Sequence, residues 1–173
     1  MIDRTVSFEE TMDLLDKAVM DRGPEWKYPS AAVVGEELGA TCVYFNDPQD
    51  LVPQEVETLE KSGVFQHSPA CLVGDVFHRL GITPAAIEGL NQSGVNELRD
   101  SKVVSFDSKA WDLLYVVQSC QDVGISWGDS VEFAKSLSDD DMETAVFLAS
   151  VSSLLKSRGW VLDPDSYTWI KPE

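Results

Sequence analysis

The sequence predicts a mainly α fold with minor β structure (α+β): a helical domain, a short strand near residues 41–45 and a C-terminal β-hairpin. Three observations carry that expectation. Capping residues stand ahead of apolar residues spaced three and four apart, at Ser7, Asp107, Ser126 and Ser138. Hydrophobic residues make up 43% of the chain and include five tryptophans and seven phenylalanines, enough for a real core. Near the C-terminus, Asp163–Pro164–Asp165–Ser166 is a type I turn candidate between two short alternating runs. The length of 173 residues suits one domain, so 1–173 reads as a single acidic unit.

The first helix starts at Ser7, with Glu10 three residues on as a capping box. Phe8, Met12, Leu15 and Val19 form its stripe, and "RGP" at 22–24 ends it. A short helical turn is expected around 31–38. "TCVYF", 41–45, is β-branched and aromatic and reads as a strand. Residues 53–62 fit either one exposed helix or part of a mobile insertion over 46–66. Ser68 and Pro69 are the N-cap and first position of the next helix, which Gly81 closes. Thr83–Pro84 repeat the start signal for a short helix to about Leu90. "VNELRD" suggests a helical turn and "KVVSF" a short strand. Asp107 or Ser108 opens a strong helix through Val123, with Ala110, Leu113, Leu114, Val117 and Cys120 as its buried stripe and Gly124 as its stop. Gln121 lies near that stripe, where its amide needs partners. Ser126 with Asp129 starts a helix over 127–137, and Trp127 is its apolar anchor. Ser138 with Asp141 starts the last helix, 139–158. It is apolar on two sides, which predicts a central position. Asp139, Asp140 and Asp141 complement the dipole of its first turn. Trp160, Leu162, Tyr167 and Trp169 of the hairpin are available to cover core.

No apolar run approaches the length of a membrane span. "MIDRTVSFEE" has no apolar signal region, and the three scattered cysteines, Cys42, Cys71 and Cys120, read as reduced thiols, so the expected setting is cytoplasmic. The formal net charge is −17. Residues 1–60 hold 14 acids and 4 bases, residues 61–110 hold 5 and 5, and residues 111–173 hold 11 and 4. Such a surface argues against binding nucleic acid or anionic lipid, both of which require basic groups against phosphate. The C-terminal helix and hairpin resemble the recognition helix and wing of a winged helix. Its helix offers Lys156 and Arg158 beside a strongly acidic chain, so that unit suits protein contact better than DNA.

One stretch, "SPACLVGDVFHRLG" (68–81), holds candidate chemistry. On a helix wheel Cys71, Asp75 and His78 share the side opposite Leu72, Val73, Val76, Phe77 and Leu80, and a first-turn cysteine has its thiol pKa lowered by the helix dipole. Cys71, His67, His78 and Asp75 are therefore the candidate catalytic residues. A direct Cys71–His78 dyad is excluded, because seven residues of helix separate the two by about 10 Å where about 3 Å is required. His67 is the alternative base. The bland reading is a packed cysteine beside a solvated Asp75 and His78. Cys42, His67, Cys71 and His78 have zinc-ligand chemistry, but their spacing matches no zinc knuckle or finger.

"PACLVGDVFHRLG" together with "VVQSCQDVGISWGDSV" resembles a pattern in uncharacterised small proteins of actinobacteria and their phages. In that pattern a Cys-Leu-x-Gly helix with a Leu-Gly stop precedes a Gln-Asp-x-Gly-x-x-Trp-Gly segment. The likeness covers roughly residues 69–133. It implies a bacterial or phage source and a cytoplasmic setting, and carries over no catalytic residue. The function expected is that of a non-enzymatic accessory or regulatory protein acting through protein–protein binding, without a cofactor. Two other classes are weighed beside it: an acidic DNA mimic that inhibits a nucleic-acid-handling host protein, and a thiol- or zinc-dependent enzyme centred on Cys71.

Overall fold

The computed structural model describes residues 4–27, 44, 71–87, 89–90, 94–147, 151–163 and 169–171. Strand β1 (Thr5–Val6) leads into α1 (Phe8–Arg22), and α2 spans Leu72–Arg79. A 3-10 turn at Pro84–Ile87 is followed by α3 (Val95–Ser101), β2 (Ser105–Phe106) and α4 (Ser108–Asp122). The chain continues as α5 (Trp127–Lys135), α6 (Asp139–Phe147), α7 (Ser152–Ser157), β3 (Val161–Leu162) and β4 (Trp169–Ile170). The mainly helical α+β class is thus as the sequence predicts, including the C-terminal antiparallel hairpin, where Val161 pairs with Ile170 and Leu162 with Trp169. No helix among the described residues is long and apolar enough to cross a membrane.

The caps work as the sequence suggests. Ser7 Oγ accepts from Glu10 N at 3.2 Å, and Ser126 Oγ accepts from Asp129 N at 3.2 Å. The reciprocal half of the capping box at Ser7 does not form, because the Glu10 carboxylate pairs with Arg4 instead. The buried face of α1 is Thr11, Leu15 and Ala18, with Phe8, Met12 and Val19 only flanking it. Strand β1 was not apparent in the sequence. It pairs in parallel with β2, Thr5 opposite Ser105 and Val6 opposite Phe106. The pairing sets two helix N-termini side by side, and Asp107 serves both: Oδ1 accepts from Ala110 N of α4 and Oδ2 from Phe8 N of α1, each at 2.8 Å.

The centre of the core is α4, not the last helix. It packs against α1, α2, α3, α5 and α6. Ala110, Trp111, Leu113, Leu114, Val116, Val117, Gln118, Cys120 and Gln121 are all buried, which takes up most of its circumference. The run expected as one helix over 139–158 is two, α6 and α7, with Val151 as the N-cap of the second. Val151, Ser152 and Ser153 have low helix propensity, which favours an interruption there. Val151 and Leu155 are nonetheless buried, as are Met142 and Ala145, while Glu143 and Thr144 face solvent. The helix expected from Thr83 to Leu90 shortens to the 3-10 turn, and Gly89 follows at φ +79°. The predicted strand 41–45 lies outside the described residues except for Tyr44, a buried bend residue. The features expected over 31–38, 46–66 and 53–62, and at Tyr167, also lie outside them.

Candidate functional site

The stretch that carries the sequence's candidate chemistry folds as α2, three residues later than expected. Cys71, not Ser68, is its N-cap. Its backbone is extended (φ −130°, ψ 169°), so Cys71 stands outside the helical register that aligned it with Asp75 and His78. Its Sγ accepts from Gly74 N at 3.3 Å, the role a serine or aspartate oxygen ordinarily fills. The neighbouring orphan donor, Leu72 N, bonds Gln121 Oε1 of α4 at 2.8 Å. A sulfur thus caps the start of α2 locally while a carboxamide pins it to the central helix, and Gln121 finds the partner its burial demands.

The same helix end is closed over by Tyr44. A Cβ placed on Gly74 would lie 2.0 Å from the Tyr44 carbonyl oxygen, so only glycine admits the chain there. Tyr44 packs on Phe77 with ring centroids 5.4 Å apart and shares a 3.2 Å hydrogen bond with Gln118 Oε1. Cys71 is wholly buried beneath this arrangement.

Asp75 is buried as well, which corrects the expectation of a solvated carboxylate. It forms a close ion pair with Arg79, whose guanidinium also bonds Asp21 of α1 at 2.7 Å. Burial alone would lower the Arg79 pKa; the hydrogen bonds it donates to Asp21 and Asp75 outweigh it and hold the guanidinium more firmly charged. Only His78 is solvent-exposed, as expected. Cys71, Asp75 and His78 are therefore divided among a cap, an ion pair within the helix and the surface, and no nucleophile–base contact forms among them.

Cys42 and His67 lie outside the described residues. Among the described residues no group of three or more His, Cys, Asp or Glu side chains is placed to hold a metal ion. The second buried thiol, Cys120, has its pKa pushed up strongly by burial and further by nearby Asp122, which keeps it protonated and unreactive.

No family model, curated protein or solved structure matches this chain.

Two surface features had no signal in the candidate motif. The outer face of the hairpin shows Val161 and Ile170, 64% and 54% exposed, as a directly opposed cross-strand pair. The inner face is anchored: Trp160 is buried edge-on against Phe133 at 6.0 Å, and Trp169 packs partly on the core. Lys171 ties the strand to α5 through Glu132 at 2.7 Å and Asp129 at 3.1 Å. The hairpin is thus fixed in place with an apolar outside. The second feature is a groove among α3, α4 and α6, lined by Arg99, Lys109, Asp112, Asp139, Met142 and Glu143 among others.

Proposed function

We propose that the protein is a non-enzymatic accessory or regulatory protein that acts by binding another protein through the outer face of its C-terminal hairpin. The observation that carries this reading is the Val161–Ile170 pair, two β-branched side chains held in solvent on a ribbon whose other face is fastened to the core. Exposed β-branched pairs on a two-stranded ribbon offer both an apolar contact and open backbone edges to a partner strand. The burial of Cys71 and the pairing of Asp75 speak against the alternative of a thiol enzyme. The resemblance of residues 69–133 to small actinobacterial and phage proteins makes a phage-encoded modulator of a host protein the concrete form of the proposal.

The test is site-specific photo-crosslinking in a bacterial lysate. A benzophenone side chain at position 161 is expected to give a discrete adduct with one protein, and the same group at position 102 none. The adduct is expected to disappear when Ile170→Asp is added. Identical patterns from the two positions, or no adduct at 161, would overturn the assignment of the hairpin. An adduct whose yield falls steeply with salt, on a basic nucleic-acid-handling protein and from position 102 as well as 161, would favour the DNA-mimic reading instead.

A further inference from the structure

The groove among α3, α4 and α6 has a volume of about 430 Å³, within the size range of ligand sites. Its charges do not balance. Lys109 is engaged with Asp139 at 2.7 Å. Arg99 approaches Asp112 only to 3.6 Å, beyond hydrogen-bond distance, and is itself 41% exposed. Glu143 adds a third carboxylate to the lining. Asp112 is the more enclosed partner, at 21% side-chain exposure. Burial raises its pKa, Arg99 offsets part of this, and Glu143 and Asp107 push it further up. The unmet demand at Asp112 is for positive charge. Met142 and Val146 supply an apolar wall beside it.

We propose that this groove receives a basic side chain of a partner protein, an arginine or lysine whose aliphatic stem lies along Met142 and Val146 and whose cation meets Asp112 and Glu143. The inference rests on the reading of the chain as a protein-binding molecule and names the partner's chemistry. An anionic ligand is disfavoured, since three carboxylates face two cations and one of those cations is already held. Arg99 is no obstacle: a loose, half-exposed pair of this kind contributes little and yields readily to a better-placed cation. The chain's net charge of −17 draws cations toward the surface in general, so the proposal predicts a local effect beyond that field.

The experiment titrates the full chain with N-acetyl-arginine N-methylamide and follows backbone amide NMR shifts. Saturable shifts at Ser108, Asp112 and Glu143 are expected. Asp112→Asn, which keeps the shape and removes a poorly compensated charge, is expected to keep a native spectrum and weaken binding by about tenfold. Asp13→Asn, an equal change of net charge on exposed α1, is expected to leave binding unchanged. Equal weakening by both variants, or shifts that never saturate, would overturn the proposal in favour of diffuse attraction. Binding of putrescine without binding of the arginine probe would overturn it in favour of a small-diamine site. The variant Val161→Ser/Ile170→Ser is expected to bind the probe normally, so failure of the groove and failure of the hairpin are read separately.

Discussion

Asp122 ends the central helix with its Oδ1 enclosed and without a hydrogen-bond donor. Burial pushes its pKa up to about 7 from an ordinary 3.8, and a hydrogen bond from Gln121 offsets only part of that. A raised carboxyl pKa means that the folded state binds a proton the unfolded chain lacks between those two values. Stability therefore falls as pH rises from about 4 to about 7 and is level above. Asp122→Asn is expected to raise stability at pH 8 by about 2 kcal/mol, and by progressively less toward pH 4. Urea denaturation at the two pH values checks it, and an equal gain at both would contradict the assignment. At Cys71 the cap depends on an acceptor atom. Cys71→Ser is expected to cost less than Cys71→Ala, which removes the acceptor from Gly74 N and costs about 1–2 kcal/mol in thermal or chemical denaturation. Gly74→Ala is expected to be worse than either, because its Cβ meets the Tyr44 carbonyl.

At the scale of elements, most helix starts and the C-terminal hairpin were legible, and the parallel pairing of β1 with β2 was not. Ser7, Asp107 and Ser126 each cap where the sequence placed them, because a side-chain oxygen three residues ahead of a donor is a local arrangement. The parallel β1–β2 bridge had no such signal, since two residues of strand carry no period and the partner is remote in sequence. The candidate site failed for a related reason. A wheel drawn through Cys71 assumes helical backbone, and an N-cap is extended. The burial of Asp75 depends on Arg79 and on Asp21 of another helix, which no local pattern contains. That ion-pair chain joins α1 to α2. Arg79→Leu is expected to cost about 2–3 kcal/mol, because it leaves the buried Asp75 without its partner. Asp21→Asn is expected to cost under about 1 kcal/mol, since Asp21 is 63% exposed. A larger cost for Asp21 than for Arg79 in equilibrium unfolding would reverse this account.

For the molecule as a whole, the excess of carboxylates is a standing self-repulsion that mobile ions relieve. The melting temperature is expected to rise between 10 mM and 300 mM sodium chloride, as the Debye length shortens from about 30 Å to under 8 Å. Differential scanning calorimetry at constant pH checks this; a flat profile would show that the charges sit too far apart to matter, and a falling one that the surface ion pairs outweigh the repulsion. Asp107 has a consequence of a different kind. Its carboxylate closes the start of α1 from a position 99 residues downstream of Phe8. Ribosomes add about 5–20 residues per second, so α1 emerges about 5–20 s before its second cap exists. Until Arg79 is added Leu15 and Ala18 have no α2 to lie against, and α4 follows only after Asp107. The N-terminal helix is thus made first and finished late, and its apolar face is the one a nascent-chain chaperone meets.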